Sequence, residues 1–107
     1  MGRGDWRELR GRTEVILRHL IKLHVSPAVQ PRSGWRRTIV EQRSKIRILL
    51  DDSPSLVQRV PEAIAMELPS ARELALSDLT EFHGQPTIIP DHLTFTPDQV
   101  LGPDPPD

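Results

Sequence analysis

The sequence predicts an all-α protein, a small antiparallel bundle of three main helices with a short C-terminal helical turn and a disordered tail. Apolar residues recur at intervals of three and four positions in three separate segments, which is the spacing of an amphipathic helix. Stretches rich in proline and glycine separate these segments. We therefore expect helices near 5–24, 35–51 and 54–82 in one domain of residues 1–101, followed by a disordered tail at 102–107.

Size and composition restrict the class of protein. A chain of 107 residues with 36% hydrophobic and 4% aromatic residues forms one small domain with an aliphatic core. The absence of cysteine excludes disulfides and thiolate metal sites and favours a reducing compartment. No apolar run approaches the roughly 20 residues of a membrane span, and the charged N-terminus is unlike a signal peptide. We expect a cytoplasmic protein that does not associate with membranes.

The first predicted helix begins near Asp5, where Glu8 three residues later completes a capping box. Gly11 lies in its interior, where glycine costs about 1 kcal/mol relative to alanine and is a candidate for close packing. Val15 and Ile21 widen its apolar stripe beyond what two neighbouring helices readily cover. The stripe itself consists of Trp6, Leu9, Thr13, Ile16, Leu17, Leu20 and Leu23.

The second predicted helix is capped by Ser33 or Gly34 and ends near Asp51. Its apolar face predicts that Trp35 lies in the core, and the remaining positions carry basic residues, as in an ordinary solvated amphipathic helix. The apolar face consists of Trp35, Ile39, Gln42, Ile46 and Leu49, and the basic positions are Arg36, Arg37, Arg43 and Arg47.

The third predicted helix has Ser53 as N-cap and Pro54 at its first position. Pro61 and Pro69 fall inside the segment, and each removes a helical hydrogen bond, so the helix is expected to kink or break there. Gly84 supplies the C-terminal stop. Its apolar stripe consists of Leu56, Val60, Ile64, Leu68, Ala71, Ala75 and Leu79.

The segment after Gly84 is expected to be extended up to a single helical turn. Thr96 caps that turn, Pro97 takes the first position, and Gln99 completes a capping box. Four apolar residues are expected to hold the extended part against the bundle: Ile88, Ile89, Leu93 and Phe95.

The order of three further stretches resembles a known bacterial family. They read "SGWRRTIVEQRSKIRILLDDSPSL", "PEAIAMELPSARELA" and "TIIPDHLTFTPDQVL", and they resemble the bacterial domain-of-unknown-function family twenty-nine over about residues 1–101. The resemblance implies an all-α bundle and supplies no site residues, because the biochemical role of the family is undefined. Members usually carry another helical segment ahead of the point where this chain begins. Either the start of the chain is assigned too late, or the chain is a shortened version with an uncovered apolar groove on the first helix.

Charge is divided unequally along the chain. Residues 1–50 carry twelve Arg and Lys against four acids, a net charge of +8, and residues 51–107 carry two against eleven, a net charge of −9. Such polarity is a hint of nucleic-acid or partner binding. We expect instead that the arginines of the second helix face the acidic third helix or solvent, because neighbouring helices then neutralise one another.

Catalytic and metal-binding patterns are not evident. His19 and His24 are five residues apart and point in different directions from a helix, while His83 and His92 lack a matching carboxylate cluster. Ser53 and Ser55 have no adjacent His or Lys base in the sequence, and no glycine-rich phosphate loop occurs. We therefore expect no enzyme activity, no cofactor and no metal.

The favoured interpretation is a helical interaction module that associates with itself or with a protein partner that covers the groove on the first helix. The weaker alternative is nucleic-acid binding through the basic face of residues 32–47, with Trp35 available to stack on a base. A pI of about 6.4 and the long connection before the second helix argue against it. The candidate contacts in that alternative are Arg32, Arg36, Arg37, Arg43 and Arg47.

Overall fold

The computed structural model describes residues 2–84 and 87–102. Within them the chain is helical and contains no strand, which confirms the all-α prediction. The helices are α1 (Arg3–Val25), α2 (Arg32–Asp52), α3 (Val60–His83) and the short α4 (Pro97–Leu101). A 3₁₀ helix, Pro54–Arg59, directly precedes α3.

Contacts between side chains give the helix directions. Helices α1 and α2 are antiparallel. Lys22, near the end of α1, lies over Trp35, near the start of α2, whereas Arg12, earlier in α1, donates a hydrogen bond to Gln42, later in α2. Helices α1 and α3 are parallel, because Arg10 forms an ion pair with Glu67 and Arg18, later in α1, forms one with Asp78, later in α3. The bundle is therefore up-down-up, with antiparallel neighbours along the chain.

Helix α1 is the central element of the bundle. It packs against both α2 and α3, whereas α2 and α3 make at most a marginal contact with each other. Because α1 is covered from two sides, Ile21 is fully buried and Val15 half-buried. The expectation of an uncovered groove at Ile21 was therefore wrong. The core of α1 consists of Leu9, Thr13, Ile16, Leu17, Leu20, Ile21 and Leu23.

The starts of α1 and α2 differ from the prediction. Gly2, not Asp5, is the N-cap of α1, and the Asp5 carboxylate instead accepts a hydrogen bond of 2.7 Å from the Ser53 hydroxyl. Helix α2 begins at Arg32, directly after Pro31. Ser53 stands in the cap position before Pro54 as predicted, but its side chain makes no capping bond because it donates to Asp5. The hydrogen bond between these two residues, both predicted as caps, thus joins the start of α1 to the end of α2.

The two internal prolines of the third helical segment have different effects. The 3₁₀ helix ends at Arg59 and Pro61 lies in the first turn of α3, so the predicted break near Pro61 is confirmed. Pro69 lies inside α3, which continues without a break. Ala65, whose carbonyl loses its helical partner to Pro69, is exposed, and water can bond to that oxygen. Gly84 ends α3 with a φ of 70°, as predicted.

The C-terminal segment packs against the bundle. Ile89, Phe95 and Val100 are buried, whereas Ile88 is 89% exposed, contrary to the prediction that it packs inward. The Thr96–Gln99 capping box is present. Arg72 of α3 donates a 2.7 Å hydrogen bond to the Pro90 carbonyl. Of the predicted tail, Gly102 donates to the Asp98 carbonyl at the end of α4, and residues 103–107 lie outside the described part of the chain.

Candidate interaction surface

The five arginines of the nucleic-acid alternative are in different environments. Arg43 is buried, and its guanidinium donates to the carbonyls of Val100 (3.0 Å) and Gln99 (2.6 Å), so it holds α4 against α2. Arg32 donates to the Ser26 carbonyl at 2.9 Å in the connection before α2. Of the remaining three, Arg36 is half-buried, and Arg37 and Arg47 are exposed.

Trp35 packs against the hydrophobic core and is half-buried. The ammonium of Lys22 lies 5.2 Å from the centre of its ring, a cation–π contact between α1 and α2. The prediction that Trp35 belongs to the core is therefore confirmed. A base that stacked on this ring would have to displace Lys22, which is itself buried.

Glu67 and Asp78 of the acidic third helix form ion pairs with basic residues of α1. Arg18 binds Asp78 through two hydrogen bonds of 2.7 and 2.8 Å, and Lys22 binds the same carboxylate at 3.0 Å. Arg10 binds Glu67 at 2.6 Å. The arginines of α2 were expected to face the third helix or solvent. Arg37 and Arg47 are exposed to solvent as expected, whereas Arg43 instead binds α4.

Two carboxyl groups at the α1–α3 interface have opposite pKa shifts. The hydrogen bond from Arg18 lowers the pKa of Asp78 to about 2, with Lys22 adding to the effect. Burial raises the pKa of Glu14 from its ordinary value, and repulsion by Glu67 and Asp78 adds to the effect against attraction by Arg18. One carboxylate oxygen of Glu14 is buried without a hydrogen-bond partner. The arrangement is that of a charged helix–helix contact.

The histidines do not come together. The Nδ1 atom of His19 lies 2.8 Å from the Val15 carbonyl of its own helix, and burial lowers its pKa. The Nε2 atom of His83 lies 3.1 Å from the Ser26 hydroxyl, while His24 and His92 are exposed. Within residues 2–84 and 87–102, no group of three or more His, Asp or Glu side chains is arranged to hold a metal ion.

The outward side of α2 combines basic and aliphatic side chains. Val40 is 54% and Ile48 60% exposed, although both are large aliphatic residues. We call this side the α2 face, and it consists of Arg36, Arg37, Val40, Arg47 and Ile48. At 100° per residue these five residues fall within one third of the helix circumference, on the side away from the core residues.

An open cleft lies at the edge of the α2 face. It has a volume of about 230 Å³, and its apolar walls come from Ile46, Leu50 and Leu101. Arg43, Arg47 and Asp51 supply its polar rim. A second depression of about 160 Å³ continues it toward Val40. The cleft has the volume to take an apolar side chain, and two cations and one carboxylate line it.

The outward side of α3 has the opposite charge. Met66 and Leu76 are 46% and 40% exposed, and Glu73 is exposed between them. Glu62 is also at the surface, where it accepts hydrogen bonds from Arg59, whose guanidinium lies over the Trp6 ring. We call this surface the α3 face, and it consists of Glu62, Met66, Pro69, Glu73 and Leu76.

Sequence reasoning missed the α3 face. The predicted stripe from Leu56 to Leu79 is the inward side of the helix, and Leu56, Ala71 and Leu79 are indeed fully buried. Met66 and Leu76 fall outside that stripe in the helical period, so the same periodicity contains the signal for a second, outward apolar set.

The fold and these surfaces define a small all-α protein built on a central α1. The chain belongs to the family described as Domain of unknown function DUF29, whose sequence profile matches residues 1–104. No curated protein and no solved structure shows a significant match to the chain. Among the helices of the described residues, none is both long enough and apolar enough to cross a bilayer.

Proposed function

We propose that this chain is a small non-catalytic interaction module that binds protein through the α2 and α3 faces. The observation that carries the proposal is the exposure of Val40, Ile48, Met66 and Leu76 on the outward sides of two well-formed helices. Each large aliphatic side chain that leaves water contributes about 1.5–3 kcal/mol, so four of them supply a substantial driving force for association. A cytoplasmic location, expected from the sequence, stays a prediction.

Nucleic-acid binding is the weaker alternative. Arg37 and Arg47 point outward on the same side of α2, which favours it. The structural partners of Arg32 and Arg43 count against it, because phosphate binding draws on several cations at once. A salt-sensitive complex with generic DNA that is lost in Arg37→Ala/Arg47→Ala would favour this alternative over protein binding.

Site-specific photocrosslinking in the cells that encode the protein tests the proposal. A photoreactive residue at Ile48 or at Leu76 is expected to give discrete crosslinked protein species. The matched control position is His24, which is exposed on α1 and lies on neither face. Folded chains that give no more crosslinking at Ile48 and Leu76 than at His24 would reject the proposal.

A further inference from the structure

The α2 and α3 faces repeat one pattern with opposite charge. Arg36, Val40 and Arg47 are separated by four and seven residues, and so are Glu62, Met66 and Glu73. An exposed aliphatic residue follows each second charge within one turn, Ile48 on α2 and Leu76 on α3. Eleven residues make just over three full turns, so both charges of each face lie close to one line along the helix, about 16 Å apart.

From this match we infer that the partner of the α2 face is the α3 face of a second copy of the chain, an inference that rests on the proposed function. With the two helices parallel, Val40 lies level with Met66 and Arg47 level with Glu73. Ile48 then lies close to the level of Leu76. Apolar side chains meet in the centre of the contact, and opposite charges meet beside them.

The cleft beside α2 provides a place for an apolar side chain from the second copy. It lies between Leu50 and Leu101 and continues toward Val40, the residue that the register places beside Met66. Methionine is unbranched and fits irregular apolar gaps. Arg47 at the rim of the cleft is the cation that the same register pairs with Glu73.

The charge of each face disfavours pairing with itself. Glu62 is already paired with Arg59, so the deciding charges are those of Arg47 and Glu73. Two α2 faces would bring the exposed Arg47 side chains together, and two α3 faces the exposed Glu73 side chains, and like charges in contact are destabilising. The contact is therefore head-to-tail and not two-fold symmetric. Because α1 lies between α2 and α3, both faces of one molecule can be occupied at once. Such contacts generate a ring if the rotation closes and an open chain if it does not.

A charge swap tests the inference, with sedimentation of the full chain as the measurement. Arg47→Glu and Glu73→Arg, each alone, are expected to weaken self-association about ten-fold or more, because each places like charges opposite each other. The double variant Arg47→Glu/Glu73→Arg restores opposite charges, with the acid now on the α2 face and the cation on the α3 face. It is expected to associate within about three-fold of the natural chain. An equimolar mixture of the two single variants is expected to recover association as well.

Arg7→Glu provides the control for Arg47→Glu, because Arg7 is exposed on α1 and its substitution changes the net charge by the same amount and with the same sign. It is expected to leave association unchanged. The unfolding temperature of every variant is compared with that of the natural chain, so that a loss of association is not caused by a loss of fold. If the natural chain associates but the double variant and the mixture do not recover, the inference is overturned while the proposed function stands. A natural chain that remains monomeric at all concentrations also overturns the inference. In that case the crosslinks at Ile48 and Leu76 decide separately whether the proposed function stands.

Discussion

Gly11 and Gly102 differ in what surrounds their α-carbons. Gly11 is exposed in the middle of α1, and apart from its chain neighbours and the backbone of its own helix no atom lies within 4 Å of the position that a Cβ would take. The sequence-based expectation that Gly11 marks close packing was therefore wrong. Gly102 has a φ of 86°, and its Cβ would lie 3.2 Å from the Arg43 guanidinium nitrogen. Gly11 can therefore be replaced, whereas Gly102 is required because of its positive φ and its contact with Arg43.

Gly11→Ala is expected to raise the free energy of unfolding by about 0.5–1 kcal/mol, because alanine loses less conformational entropy in a helix. Gly102→Ala is expected to lower it by about 1–3 kcal/mol, because a side chain strains the positive φ and displaces Arg43. Urea unfolding followed by circular dichroism measures both. A destabilising Gly11→Ala would show that its surroundings are more crowded than the structure indicates.

At the scale of elements, the α1–α3 contact contains two carboxyl groups that respond to pH in opposite directions. The pKa of Asp78 is lowered from 3.8 to about 2, so its contribution to stability is present above pH 3.8 and is lost as the pH falls through about 2. The pKa of Glu14 is raised from 4.5, so its charged form costs stability, and that cost appears as the pH rises above 4.5. The contact between α1 and α3 therefore contains one favourable and one unfavourable carboxylate at neutral pH.

Asp78→Asn is expected to lower the free energy of unfolding at pH 7 by about 1–2 kcal/mol, a value reduced for the partial exposure of this side chain. Glu14→Gln is expected to raise it by a few tenths to about 1 kcal/mol, because no charge is then buried beside Glu67 and Asp78. Both differences should shrink in acid, that of Glu14→Gln below pH 4.5 and that of Asp78→Asn toward pH 2. Urea unfolding at several pH values measures them. A Glu14→Gln variant that is less stable at pH 7 would contradict the assigned cost.

For the whole molecule, helical periodicity was sufficient to predict the fold, because each main helix has an inward stripe such as Ile39 and Ile46 on α2. It could not predict which helix is central, since that depends on how three stripes share one core. That arrangement buries Ile21 and directs Arg18, instead of an α2 arginine, toward Asp78. The interaction faces were predictable only in part, because exposure is a property of the assembled bundle.

Arg43 connects α4 to the rest of the molecule through the carbonyls of Gln99 and Val100. Arg43→Met keeps much of the side chain's apolar bulk and removes both charge-assisted hydrogen bonds, each of which contributes roughly 1.5–3 kcal/mol. We expect α4 to open separately from the bundle in this variant, because α2 contacts it over only a short segment. The protection of the Val100 amide from hydrogen exchange should fall at least about ten-fold more than that of the Leu17 amide in α1.

The control is Lys45→Met, an exposed position on the same helix, which should leave both amides as they are in the natural chain. Val100 is fully buried and its amide donates to the Thr96 carbonyl, so its exchange reports directly on the opening of α4. Equal losses of protection at Val100 and Leu17 would show that α4 unfolds only together with the whole bundle. Because Leu101 forms one wall of the cleft beside α2, the separate opening expected in Arg43→Met should also weaken the self-association that we infer for the α2 face.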